Sequence, residues 1–287
     1  MQLRLATKAD EPFLQSLWQE AFGDTKETIQ LFFDACFLKH TALLAELEGE
    51  PVSALYLLDT TLQNGAETYA LSYVYAAATR TAARGKGVMT ALLEFAKQQA
   101  TLQGKDALYL VPADKTLYTY YGSRGYAPAF LKEEISLSKK DWQMPSDVQQ
   151  KTAPPCVAQY EKHRAEALKA LPHMVYPPQI LHVSLQFMKP FEETLSLLPS
   201  GFYVVQEEKP DCIVSEFCPK EGRAEELLLA LFSQQTADHF ILHAPCGTAK
   251  ALRTQNVQTR AAGMVYPLSE RFKKEYAKDT YLGITLG

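Results

Sequence analysis

The segment Arg84-Gly85-Lys86-Gly87 narrows the possibilities for this chain further than any other. Before it, Thr68–Thr79 is rich in the aromatic and small apolar residues of a strand. After it, Val88, Ala91, Leu92, Phe95, Ala96, Gln99 and Leu102 recur at helical spacing, and Gly104 is a natural stop. A strand that enters a helix through glycines exposes free backbone N–H groups at the positive end of the helix dipole, and Arg84 and Lys86 add cationic charge. This is anion-site chemistry. The spacing excludes a Walker loop, which needs Gly-x-x-x-x-Gly-Lys-Ser/Thr, and a dinucleotide loop, whose third glycine position is Thr90 here. Taken alone, the loop also suits a tight turn on a solvated surface.

The flanking sequence supplies an order of elements. Residues 2–6 read as a strand, and Thr7 with Asp10 suggests a capping box before a helix carrying Phe13, Leu14, Leu17, Trp18, Ala21 and Phe22. A second helix starts near Lys26, with Ile29, Phe32, Phe33, Cys36 and Phe37 inward. Strands are expected at Thr41–Leu47, Val52–Leu62 and Thr68–Thr79, the last two joined at Asn64-Gly65. Ala107–Val111 reads as a buried strand, Lys115–Tyr121 as a short helix with Asp114 as a candidate cap, and Ala129–Leu137 as a strand.

On these residues a resemblance becomes specific. Ala77 to Leu93 resembles the acetyl-CoA motif of the GNAT superfamily of N-acetyltransferases, Arg/Gln-x-x-Gly-x-Gly/Ala. Arg84 and Gly87 match it, and Met89 stands where Gly or Ala is usual. Downstream, Tyr120-Tyr121-Gly122-Ser123-Arg124-Gly125-Tyr126 resembles the family element Phe-Tyr-x-Lys-x-Gly-Phe. The layout resembles the larger multi-domain enzymes of the enhanced-intracellular-survival type. The resemblance implies an α/β (α+β) fold with a mixed, mostly antiparallel sheet flanked by helices, and acetyl-CoA as the acetyl donor. It places the pantetheine arm on Ala77, Ala78 and Thr79, and the pyrophosphate on Arg84, Gly85, Lys86, Gly87, Val88, Met89 and Thr90. The adenine end falls near Thr116 and Leu117, and Tyr121 is the implied general acid. The alternative for Tyr121 is plain packing within a cluster of Tyr118, Tyr120 and Tyr126. No base is visible: Ser72, Tyr73, Val74 and Tyr75 offer no carboxylate, and Glu27, Glu46, Glu67 and a terminal carboxylate on Gly287 are candidates by acidity alone.

A chain of 287 residues favours two domains. We expect the GNAT-like domain at 1–140, a polar, Pro-containing linker at 141–155, and a second domain at 156–287 without a cofactor motif, open to reading as a degenerate copy of the first. In the second half, helices are expected near Tyr160–Leu171, around Leu181, Leu185 and Phe187, and at Glu225–Phe232; a hairpin at Phe202–Gln206 and Cys212–Phe217; and a strand at Phe240–His243. His239 and His243 share a strand face without a third ligand at metal spacing, so no metal is expected. Twenty-nine Lys and Arg against thirty-three Asp and Glu give a net charge of −4, which argues against a nucleic-acid partner. No apolar run is long enough to span a membrane, no signal peptide is evident, and five scattered cysteines suit a reducing, cytoplasmic setting. The expected partner is a small-molecule or peptide amine, with self-association left open. Two functions from different classes remain: an N-acetyltransferase, and a non-catalytic acetyl-CoA sensor.

Overall fold

The computed structural model describes every residue except 38–40, 145–155, 189–192, 208–210, 284–285 and 287. Most of the expected linker and Gly287 therefore lie outside the described residues.

Strand β1 (Gln2–Leu5) leads to α1 (Glu11–Phe22) and α2 (Lys26–Cys36), whose three-and-four spacing buries Leu14, Leu17 and Trp18 on one and Ile29, Phe32, Phe33 and Cys36 on the other. Strands β2 (Thr41–Leu47), β3 (Glu50–Asn64) and β4 (Glu67–Thr79) form an antiparallel meander, with Asn64↔Glu67 closing the hairpin foreseen at Asn64-Gly65. Helix α3 (Val88–Leu102) crosses to β5 (Ala107–Leu110), which runs parallel to β4; α4 (Lys115–Gly122) and β6 (Ala127–Ser138) follow.

The second half comprises α5 (Val157–Leu168), β7 (His173–Val175), α6 (Pro178–Phe187), β8 (Thr194–Leu198), β9 (Gly201–Glu207), β10 (Asp211–Pro219), α7 (Ala224–Gln234), β11 (His239–Pro245), α8 (Thr248–Ala251), β12 (Val257–Pro267) and α9 (Glu270–Glu275). The helices expected near 160, 185 and 228 form, as do the hairpin and the strand at 240. Strands β7, β8 and β12 and helices α8 and α9 were not anticipated. Of these β12 matters most, because it lies at the centre of the molecule.

One sheet runs through both halves in the order β1-β2-β3-β4-β5-β12-β6-β11-β10-β9-β8, with β7 attached to β3. From β2 inward it reads as three antiparallel strands, a parallel partner, then the last strand of the other half; from β8 inward it reads the same way. Thus β12 lies between β5 and β6, and β6 between β12 and β11. Gly263 permits this insertion: a Cβ there would sit 2.8 Å from the Leu110 carbonyl oxygen. On one face of the sheet a single core joins α1, α2, α5 and α6 through residues such as Trp18, Phe32, Tyr109, Phe130, Tyr160 and Ile180. On the other face α3 packs through Leu92, Leu93 and Ala96, and α7 through Leu227, Leu228 and Leu231, in separate clusters. This is the mixed α/β architecture, mostly antiparallel and flanked by helices, that the sequence implied.

Candidate active site

The site begins where two parallel strands part. Strands β4 and β5 are paired from Leu71↔Ala107 to Tyr73↔Tyr109, and then separate. Past that point β5 turns to β12, with Leu110 opposite Met264. Strand β4 stays with β3 through a bulge between Tyr75 and Ala78, where Ala76 takes φ 46°. A left-handed conformation at a residue with a Cβ is uncommon, and such residues cluster at functional sites. The bulge leaves backbone groups of Ala76 to Thr79 without a strand partner on the β5 side. Ser53, wholly buried on β3, steadies the end of β4 by donating to the Ala78 carbonyl oxygen at 2.8 Å.

The glycine loop crosses the mouth of this fork. Gly85 and Gly87 both take φ near +75°. A Cβ at either position would meet no atom within 4 Å, so backbone conformation, not space, selects glycine there. Gly87 is the N-cap of α3 and provides no side-chain cap, so no side chain at the cap satisfies the first N–H groups of the helix. Arg84 folds back, its Nε donating to the Thr79 carbonyl oxygen at 3.1 Å.

A cleft of about 560 Å³ occupies the fork. Ala77, Ala78, Thr79, Arg84, Gly85, Gly87, Val88, Met89, Thr90, Leu117 and Tyr121 line it, together with Ala21, Phe22, Ala83, Tyr120 and Arg124. Two of the expected residues do not. Lys86 projects from the loop into solvent. Thr116 is occupied as part of the α4 cap: Asp114 accepts from its N–H at 2.7 Å, from its hydroxyl at 2.6 Å and from the Leu117 N–H at 3.2 Å. Glu27, Glu46 and Glu67 lie elsewhere. Glu46 accepts from Arg4 at 2.7 Å, Glu67 pairs with Arg271, and Glu27 is exposed in the first turn of α2. No carboxylate lines the cleft among the described residues.

Tyr121 sits edge-on to Tyr120 and Tyr126, with ring centroids 5.2 and 5.9 Å away. Burial, more than the neighbouring Tyr120, pushes its hydroxyl up to about 12, so it holds its proton at neutral pH. The packing alternative describes its neighbours better. Tyr126 is buried, and Tyr118 donates to the Ala261 carbonyl oxygen on β12 at 3.2 Å. Only Tyr120 and Tyr121 of the four reach the cleft.

Two latches were not foreseen. Arg124 lies 3.4 Å above the Tyr120 ring centroid and donates from Nε and Nη2 to the Thr90 hydroxyl at 3.1 and 2.7 Å. It ties the end of α4 to the first turn of α3 and adds a cation to the cleft wall. On the other rim, Glu20 of α1 accepts from Arg80, from the Thr81 N–H at 3.0 Å and from the Thr81 hydroxyl at 3.2 Å. This fixes the turn that precedes the glycine loop. Arg124 stands at a variable position of the downstream motif, and Glu20 is about sixty residues from its partners, so neither carried a local signal.

A forked parallel pair, a bulged strand and an uncapped helix start behind a glycine loop define a GNAT-type acyltransferase fold. Residues 2–129, a little under half of the chain, match the model of the acetyltransferase (GNAT) domain family. Among solved structures the chain is similar to a probable N-acyltransferase from Enterococcus faecalis V583, at 14% identity and TM-score 0.73 over 93% of this chain and 72% of that one. It is also similar to Eis1 from Mycobacterium abscessus, at 14% identity and TM-score 0.72 over 94% and 74%, and to a GCN5-related N-acetyltransferase from Kribbella flavida, at 16% and 0.70 over 93% and 72%. At these identities the likeness is one of fold, and it extends across both halves of the chain. No curated protein sequence matches the chain.

Proposed function

We propose that this chain is an acetyl-CoA-dependent N-acetyltransferase acting on a primary amine of a small molecule or peptide. The observation that carries the reading is the convergence in one cleft of the β4/β5 fork, the uncapped start of α3 and Tyr121. The cofactor pyrophosphate is assigned to the N–H groups of the first turn of α3, with Arg84 and Arg124 beside it. The pantetheine arm is assigned to the unpaired edge of β4 at Ala77 to Thr79. An N–H of the bulged segment then serves the developing oxyanion. In the reaction the neutral amine attacks the thioester carbonyl, the C–N bond forms, and the C–S bond breaks. Tyr121 gives its proton to the departing thiolate, and the amine's proton leaves to water.

Tyr121→Phe keeps the ring and removes only the donor. Turnover is expected to fall about a hundred- to ten-thousand-fold, with cofactor affinity and melting temperature nearly unchanged. Tyr118→Phe and Tyr120→Phe are the controls. Full turnover in Tyr121→Phe sinks the acid assignment. The absence of a carboxylate from the cleft among the described residues favours a second reading, a non-catalytic acetyl-CoA sensor. Release of free CoA from acetyl-CoA, dependent on an added amine in a panel of amines, separates the two. We further propose the division into halves at 1–140 and 156–287, the second a reduced copy of the first. The matching strand order read from either end supports it.

A further inference from the structure

The second half has a fork of its own. Strands β10 and β11 are parallel from Asp211↔His239 to Val214↔Leu242, then part at a bulge between Val214 and Glu216. Among the described residues the turn from β10 to α7 holds a single glycine, Gly222, where the first fork has two. The opening of this second fork is roofed by the chain segment Tyr281 to Gly283, and a cavity of about 120 Å³ remains beneath the roof. That is too little for a nucleotide and enough for an anion of a few heavy atoms.

The polar wall of this cavity is made of donors. Lys132 of β6 is part-buried, and no carboxylate lies within salt-bridge distance of it among the described residues. Its ammonium meets the His243 Nδ1 at 3.3 Å. His243 is held down to about 4, by burial first and by Lys132 second, so its ring is neutral. Nδ1 then accepts from the lysine, and the ring proton lies on Nε2, 3.7 Å from Glu134, which also pairs with Arg260 at 3.1 Å. Among the described residues no other hydrogen-bond partner meets the two remaining ammonium N–H groups of Lys132. Ser215 lines the same cavity, and its buried Oγ has no hydrogen-bond partner among the described residues. Buried donors without acceptors are costly, and a part-buried ammonium facing a neutral ring more so. The opposite wall is apolar, formed by Val111, Ala262 and Leu282.

We propose that this second fork binds a short-chain monocarboxylate of acetate size, its carboxylate held by Lys132 and Ser215 and its alkyl end against Val111 and Ala262. One anion supplies the lysine with a closer counter-charge than Glu134, which is shared with His243 and Arg260, and the serine with an acceptor. The inference does not depend on the acetyltransferase reading, because it uses none of the residues of the first cleft.

Titration of the full-length protein with carbon-13-labelled acetate, at constant ionic strength with sodium chloride as the balancing salt, tests it. A saturable single-site response to acetate is expected, with propionate competing and chloride not. Ser215→Ala removes one hydroxyl and is expected to weaken acetate about three- to tenfold. Lys132→Met is expected to abolish the response. Acetyl-CoA thermal shifts should be unchanged in both, which separates this site from the first cleft. No saturable response in the wild-type protein, equal effects of chloride and acetate, or unaltered acetate binding in Ser215→Ala each overturns the proposal. Should Lys132→Met fail to fold, Ser215→Ala and the salt comparison decide.

Discussion

At the scale of single residues, the site rests on backbone conformations that only certain side chains accept. Gly87 shows how to separate conformation from ligand contact. Its φ of 75° is strained for any residue with a Cβ, at a cost of about 1–2 kcal/mol, while the space around it is open. Gly87→Ala is therefore expected to lower the stability of the apo protein by about that amount. Gly87→Asn, whose side chain tolerates the left-handed region, should lower it less. Acetyl-CoA at about a hundred times its dissociation constant adds roughly 2.7 kcal/mol to a protein that binds it only when folded. Gly87→Asp should lose most of that gain if the pyrophosphate binds as proposed, since its carboxylate would then face it. Differential scanning fluorimetry with and without acetyl-CoA checks all three. Equal ligand shifts in wild type and Gly87→Asp would remove the loop from the cofactor site. The residues legible in sequence were those whose roles are local. Asp114 caps α4 because it lies two and three residues from the N–H groups it serves. Arg84 and the two glycines declare themselves through spacing. Arg124 and Glu20 act on partners far along the chain, and nothing in the local pattern marks them.

At the scale of elements, the glycine loop depends on its neighbours for its pose. Glu20 joins α1 to the turn at Thr81 through one ion pair and two hydrogen bonds. Arg80 first, and the Thr81 N–H second, hold its carboxyl down to about 2. A carboxyl with a depressed folded pKa contributes its stability fully above the ordinary carboxylate range. It loses that contribution as the pH falls from about 4.5 towards 2. The latch is thus intact throughout the neutral range. Glu20→Gln removes the charge and keeps most of the shape. Acetyl-CoA affinity is expected to fall no more than several-fold, since exposed ion pairs are weak, and to become less sensitive to salt. Calorimetric titration at low and high sodium chloride measures both. An unchanged salt dependence would mean the latch does not position the loop. Elements with a strong period were readable beforehand, and α1, α2, α3 and the β3–β4 hairpin lie where the pattern put them. Strand β12 was missed because Val257 to Gly263 is largely polar or small, with Gln258, Thr259 and Arg260 exposed, and its partners come from the first half.

At the scale of the whole molecule, the two halves are bound by exchange. Because β12 completes the sheet beside β5, and β6 completes it beside β11, neither half has a closed set of strands by itself. Residues 1–140 alone would leave β5 and β6 without the strand between them. Two tryptophans report on this arrangement. Trp18 packs among Phe32, Tyr56 and Tyr75 in the first half, and Trp142 packs against Phe232 of the second-half cluster. In Trp142→Phe and Trp18→Phe proteins, each with one emitter, urea unfolding curves followed by fluorescence are expected to share a midpoint within error. Midpoints clearly apart would show that the halves melt independently.

The interleaving also sets a schedule for synthesis. A ribosome delivers β5 and β6 well over a hundred residues before β12 exists to separate them, and until then each has an unsatisfied hydrogen-bonding edge. Native pairing across so long a stretch of chain closes slowly. The nascent first half therefore spends the remainder of translation with its central edges open, exposed to pairing with each other or with another copy. Emergence of β12, more than assembly of the glycine loop, is the event that commits this protein to its native sheet.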